Sequence, residues 1–132
     1  MELYIYLIIG FVISIFSFAL FTILKFSKRK KLSKDKKISL NKLFKEISLK
    51  NSSKEKIIDY DKLYHKVLIE MGYNGTFGEI LKVEPNEIGD LQKIWDLHKL
   101  RNKLVHDFDF IDESHLKKRE KEYKEELKIL LD

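Results

Sequence analysis

The side chains with the clearest chemical capacity fall in one ten-residue stretch, Leu97-His98-Lys99-Leu100-Arg101-Asn102-Lys103-Leu104-Val105-His106. Arginine carries a permanent charge on a planar fork that matches phosphate oxygens, and histidine exchanges a proton near neutral pH. On a helix turning about 100° per residue, Arg101 and His106 point about 140° apart, whereas Asn102 and His106 share a face. A histidine at a helix end can swing into a cleft. Together the three are a minimal set for metal-free cleavage of an RNA phosphodiester. His106 takes the ribose 2′-hydroxyl proton, Arg101 holds the phosphate as charge develops, and Asn102 is an orienting hydrogen-bond donor. The same residues also have a structural reading. Arg101 then pairs with an acid such as Asp107 or Asp109, and His106 sits where the negative end of the helix dipole favours it.

The remaining residues of chemical interest read more simply. His98 lies on the apolar stripe one turn before Arg101 and is expected to be a hydrogen-bonded core histidine. His65 and His115 read as surface residues. The spacing of His106, Asp107, Asp109 and His115 matches no metal-binding pattern, so no metal and no cofactor is expected. Gly72, Gly75 and Gly78 lack a preceding strand and a following Lys-Ser/Thr pair, so they read as turn glycines and not as a phosphate loop. Trp95 and Tyr64 read as core or dimer-seam residues. Lys117-Lys118-Arg119, interleaved with Glu120, Glu122, Glu125 and Glu126, reads as a solvated helix face with i,i+4 pairs. With no cysteine among 132 residues, disulfides and thiol nucleophiles are excluded, which suits a reducing compartment.

These residues must be positioned by a small helical scaffold. From Leu3 to Leu24 no residue is charged, and a helix of that length spans roughly 33 Å, enough for a bilayer core. Glu2 precedes the apolar run and Lys28-Arg29-Lys30-Lys31 follows it. This arrangement predicts an uncleaved single-pass anchor with its N-terminus outside and the rest of the chain cytoplasmic. The net charge of +5 is unevenly spread: residues 25–56 carry +10, and residues 57–132 carry −4. The surplus cations are expected to attract lipid headgroups beside the anchor. Gly10, Ser14 and Ser17 offer a weak small-residue face for pairing in the membrane.

Beyond the anchor, apolar periodicity predicts a short amphipathic helix over about 39–50, marked by Ile38, Leu40, Leu43, Phe44 and Ile47. A second helix opens at a Ser52/Glu55 capping box, carries Ile57, Tyr60, Asp61, Tyr64, Val67, Leu68 and Met71, and stops at Gly72. Thr76 and Glu79 form another capping box for a helix over about 77–83, ending before Pro85. Asp90 caps a helix with a stripe of Leu91, Ile94, Trp95, His98, Leu104 and Val105, ending near His106. Asp107 to Ile111 connect to a last helix over about 113–131, capped by Asp112 and marked by Leu116, Tyr123, Leu127 and Leu130. No segment alternates with period two, so the fold class is all-α. A transmembrane helix is followed by a small antiparallel four-helix bundle. The divisions are 1–26 anchor, 27–52 basic juxtamembrane linker with a short amphipathic helix, and 53–132 helical domain. A bundle of about 80 residues has a small core, so homodimerisation is a natural source of stability.

Arg101-Asn102-x-x-x-His106, followed by an acidic connector and a last amphipathic helix, resembles the HEPN family. The resemblance covers about residues 53–131. Tyr64, Gly72-Tyr73, Gly75 to Leu81 and Trp95-x-x-His98-Lys99-Leu100-Arg101-Asn102 are also similar to small bacterial HEPN-like proteins. The resemblance implies a dimer in which Arg101 and His106 of both protomers line one cleft. It also implies a metal-independent endoribonuclease of a toxin–antitoxin or defence system, with RNA as substrate and an antitoxin or other regulatory partner. Where toxin members silenced by a nucleotidyltransferase carry an AMP-accepting tyrosine two residues after the histidine, this chain has Phe108. That control is therefore not expected. A different class remains alongside: a non-catalytic, membrane-tethered module for dimerisation or partner binding.

Overall fold

Helix starts are set by short polar side chains that accept from backbone N–H groups the helix cannot satisfy, and among the described residues five of six helices begin at such a cap. The computed structural model describes residues 1–26, 29–106 and 110–132, and among these every regular element is helical. The order is α1 Glu2–Phe26, α2 Lys34–Ser48, α3 Ser53–Glu70, α4 Phe77–Lys82, α5 Leu91–His106 and α6 Glu113–Leu131.

The first helix, α1, stands apart from the rest. From Met1 to Leu24 every side chain is exposed except the half-buried Thr22, whose hydroxyl donates to the Phe18 carbonyl at 2.8 Å. The stretch Glu2–Leu24 is long and apolar enough to cross a membrane.

The second helix begins five residues before its expected start, because Ser33 accepts from the Lys36 N–H at 3.4 Å and caps it. It ends at Ser48, leaving Leu49 exposed. Ile38, which the periodicity placed on the apolar face, is also exposed. Leu40 is buried, and Leu32, Leu43, Phe44 and Ile47 are half-buried against the same core. α2 therefore packs on α3 and α6 as part of the bundle. Lys30, in the basic segment before it, is docked too: its N–H donates to the buried Glu87 carboxylate and its Nζ lies 3.8 Å from the Tyr73 ring centre. Within α2, Lys37 Nζ donates to the Asp132 carbonyl at 2.6 Å.

The caps of α3 and α4 follow from their sequences. Ser52 accepts from the Glu55 N–H at 3.3 Å. At the other end of α3, Gly72 adopts φ 101°, which lets its N–H reach Ile69 and the Tyr73 N–H reach Leu68, closing a Schellman motif. Thr76 and Glu79 make the reciprocal capping box of α4. Asp90 accepts from Lys93 at the start of α5, and Asp112 accepts from Ser114 and His115 at the start of α6.

On α5 the buried stripe is rotated from the expected one. Ile94, Leu97 and Leu104 are buried, Leu91, Trp95 and Leu100 are half-buried, and Val105 is 47% exposed. The core lies where α3 packs on α6 and α5, around Tyr60, Tyr64 and Tyr123. Tyr64 stacks on Phe77 at 5.7 Å, and Tyr123 lies 6.0 Å from Tyr64.

Candidate functional site

The apolar face of α3 that carries Ile57, Tyr60, Tyr64 and Leu68 also carries Asp61, so helix geometry sends a carboxylate into the bundle. Its side chain is only 6% exposed. A buried carboxylate is destabilising by several kcal/mol unless it is paired, so its partners are the key to this region. Tyr123 of α6 donates its hydroxyl to Asp61 Oδ1 at 2.7 Å. His98 Nδ1 of α5 lies 2.9 Å from the same oxygen. Arg101 Nε, one turn further along α5, is 3.6 Å from Oδ2.

Two further contacts close a ring. Arg101 Nη1 donates to Asn102 Oδ1 at 2.9 Å, and Asn102 Nδ2 faces His98 Nε2 at 3.5 Å. Asp61, His98, Asn102 and Arg101 thus form one polar circuit, buttressed by Tyr123. Exposure rises across it, from 6% for Asp61 through 15% for His98 to 24% for Arg101. Asp61 is the inner end and the Arg101 side chain the more exposed one, with its Nε buried beside Asp61. The edge of Phe77, with ring centres 4.7 Å apart, walls the imidazole. Burial pushes the Tyr123 hydroxyl far above its ordinary pKa, and the Asp61 charge adds to the effect, so Tyr123 stays a donor.

Arg101 and Asn102 are therefore joined, as neighbours on α5, and both connect to His98. No bond of this ring involves His106, which is exposed at the C-terminal end of α5. The connector residues Asp107, Phe108 and Asp109 lie outside the described residues, including the two acids expected to pair with Arg101 in the structural reading. Among the described residues, the acid that pairs with Arg101 is Asp61 on α3.

The other sequence expectations can be placed as well. His98 is hydrogen-bonded inside the bundle, as its position on the stripe implied. His65 is half-buried instead of lying free on the surface: its Nε2 is 3.0 Å from the Gly75 carbonyl, and its ring stacks on Phe77. His115 is exposed and, with Lys99, Lys103 and Arg119, lines a groove of about 360 Å³ between α5 and α6. Among the described residues no three His, Cys, Asp or Glu side chains are grouped to hold a metal ion. Lys117 and Lys118 are exposed, but Glu120 does not pair along its own helix. It accepts from Ser53 at 2.9 Å and Lys56 at 3.0 Å, joining α6 to the start of α3.

Asp61 and Tyr123 do not stand out from the sequence as site residues. The available signal was a carboxylate on the apolar stripe of one helix and a histidine on that of another, since each needs a buried partner. Compared with protein-family models, curated proteins and solved structures, the chain matches none.

Proposed function

We propose that this chain is a single-pass membrane protein whose helical domain faces the cytoplasm, is HEPN-like, and cleaves single-stranded RNA as a homodimer without a metal ion. The products are a cyclic phosphate and a 5′-hydroxyl end. Arg101 holds the phosphate, Asn102 orients it by hydrogen bonding, and His106 moves the proton. Tethering suits a toxin or defence role in which a regulatory partner releases the activity. The observation that carries the reading is the pairing of Arg101 with Asn102 on α5, with about a quarter of the Arg101 side chain exposed and His106 exposed at the end of the same helix. The apolar α1 and the +10 charge of residues 25–56 support the anchor and its orientation.

One observation favours a second reading, a non-catalytic tethered dimerisation or binding module. Arg101 Nε is turned toward Asp61 inside the fold, as a structural arginine would be. The −4 charge of residues 57–132 points the same way, since tight nonspecific RNA binding depends on phosphate neutralisation.

The test is RNA cleavage by the full chain in detergent micelles with EDTA, comparing the parent with His106→Ala and Arg101→Ala. Cleavage to cyclic-phosphate ends that is lost in both variants supports the ribonuclease. A folded parent that cuts no RNA overturns it in favour of the binding module. Protease digestion of sealed vesicles tests the orientation, with residues 25–132 expected on the cytoplasmic side.

A further inference from the structure

We infer that His98, oriented by Asp61, is a further proton-transfer residue of this site; the inference rests on the ribonuclease reading. The polar ring fixes which nitrogen of His98 carries its proton. Arginine has only donors, so the Asn102 atom 2.9 Å from Arg101 Nη1 is the carbonyl Oδ1. The amide Nδ2 therefore faces His98 Nε2. Two N–H donors do not face one another, so Nε2 presents its lone pair. Nδ1 then carries the proton that Asp61 accepts at 2.9 Å. This is the arrangement a general base needs: a carboxylate holding one nitrogen, and the other nitrogen free to accept.

Position agrees with tautomer. His98 and Arg101 are three residues apart on α5 and so adjacent on its surface, about 5–6 Å between Cβ atoms. His106 lies five residues beyond Arg101, about 7.5 Å along the axis and turned about 140° from it. A phosphate on the outer edge of Arg101 thus brings a ribose closer to His98 than to His106 of the same protomer. The Asn102 contact, at 3.5 Å, is long for a hydrogen bond, so a 2′-hydroxyl displaces it at small cost. The Phe77 ring packs against the imidazole and helps to fix its orientation.

In the step this allows, His98 Nε2 takes the 2′-hydroxyl proton as O2′ bonds to phosphorus. The P–O5′ bond breaks, and the departing 5′ oxygen takes its proton from His106, of the same or the partner protomer, so that His98 acts as the base and His106 as the acid. The Asp61 carboxylate, 2.9 Å from Nδ1, stabilises the imidazolium. It is a positioning residue, and His98 is the catalytic one.

The experiment uses the full chain in detergent micelles. His98→Asn keeps a donor for Asp61 but has no basic nitrogen, and His98→Ala opens a space for added imidazole. With an active parent, His98→Asn is expected to lower kcat about 100-fold or more while KM stays within about two-fold. Imidazole is expected to restore part of the His98→Ala rate, which a purely structural role would not allow. Long-range proton–nitrogen NMR of the parent is expected to show His98 protonated at Nδ1. An active parent with His98→Asn cutting at the parent rate, or His98 protonated at Nε2, overturns this inference and leaves the ribonuclease reading intact. An inactive parent overturns both.

Discussion

The hydroxyl of Tyr123 on α6 donates to Oδ1 of Asp61 on α3 at 2.7 Å, and both side chains are buried. One hydrogen bond to a buried charge thus joins two helices at the centre of the bundle. Tyr123→Phe keeps the ring in its packing and removes only the donor. It is expected to lower the unfolding free energy by about 1.5–3 kcal/mol, as is usual for hydrogen bonds to charged groups. Urea denaturation followed by circular dichroism measures this, and an unchanged midpoint would show that the bond adds nothing to stability.

Alkaline pH offers a second check. Burial raises the Tyr60 hydroxyl to about 12, with the Glu120 charge adding to the effect. It also raises Tyr64, Tyr73 and Tyr123, helped by Glu126 and Glu87, by the Glu87 hydrogen bond, and by Asp61 respectively. A pKa higher in the folded than in the unfolded chain gives stability that is present below the unfolded value near 10 and lost as pH rises beyond it. Stability is expected to fall steadily above pH ~10. Tyrosinate absorbance of these buried rings should appear together with loss of helical ellipticity; ionisation without unfolding would contradict the burial argument.

The stop of α3 depends on one glycine. Gly72 has φ 101°, and a Cβ added there would meet nothing within 4 Å, so any cost of a side chain comes from the backbone alone. Gly72→Ala is expected to cost about 1–2 kcal/mol, readable as a lower thermal midpoint.

The membership of α2 in the bundle is tested by a pair of substitutions on that helix. Leu40 is 2% exposed and Ile38 is 61% exposed. Leu40→Ala is expected to destabilise by about 2–5 kcal/mol and Ile38→Ala by less than about 0.5 kcal/mol. Equal small effects would mean that α2 is not part of the cooperative core.

Much of this scaffold could be read from local chemistry. Thr76, Asp90 and Asp112 cap helices where short polar side chains precede apolar periods, and Gly72 stops one where a left-handed residue is needed. The start of α2 was not legible, because Ser33 sits within a lysine-rich run that reads as linker. The rotation of the α5 stripe was hidden as well. Leu97 and Val105 are both apolar, and only the packing of α5 against the other helices decides that the first is buried and the second is not. For the site, Arg101 and Asn102 stood out by type and spacing. Their connection to Asp61 depends on how α5 and α3 face each other, which neither helix specifies alone.

The polar ring also sets an order in time. Asp61 is separated by 37 residues from His98 and by 62 from Tyr123. At about 5–20 residues per second, a ribosome reaches Tyr123 roughly 3–12 s after Asp61. Until the α6 segment has been made, Asp61 lacks its Tyr123 partner, so the bundle cannot close in its native form before its last helix is synthesised.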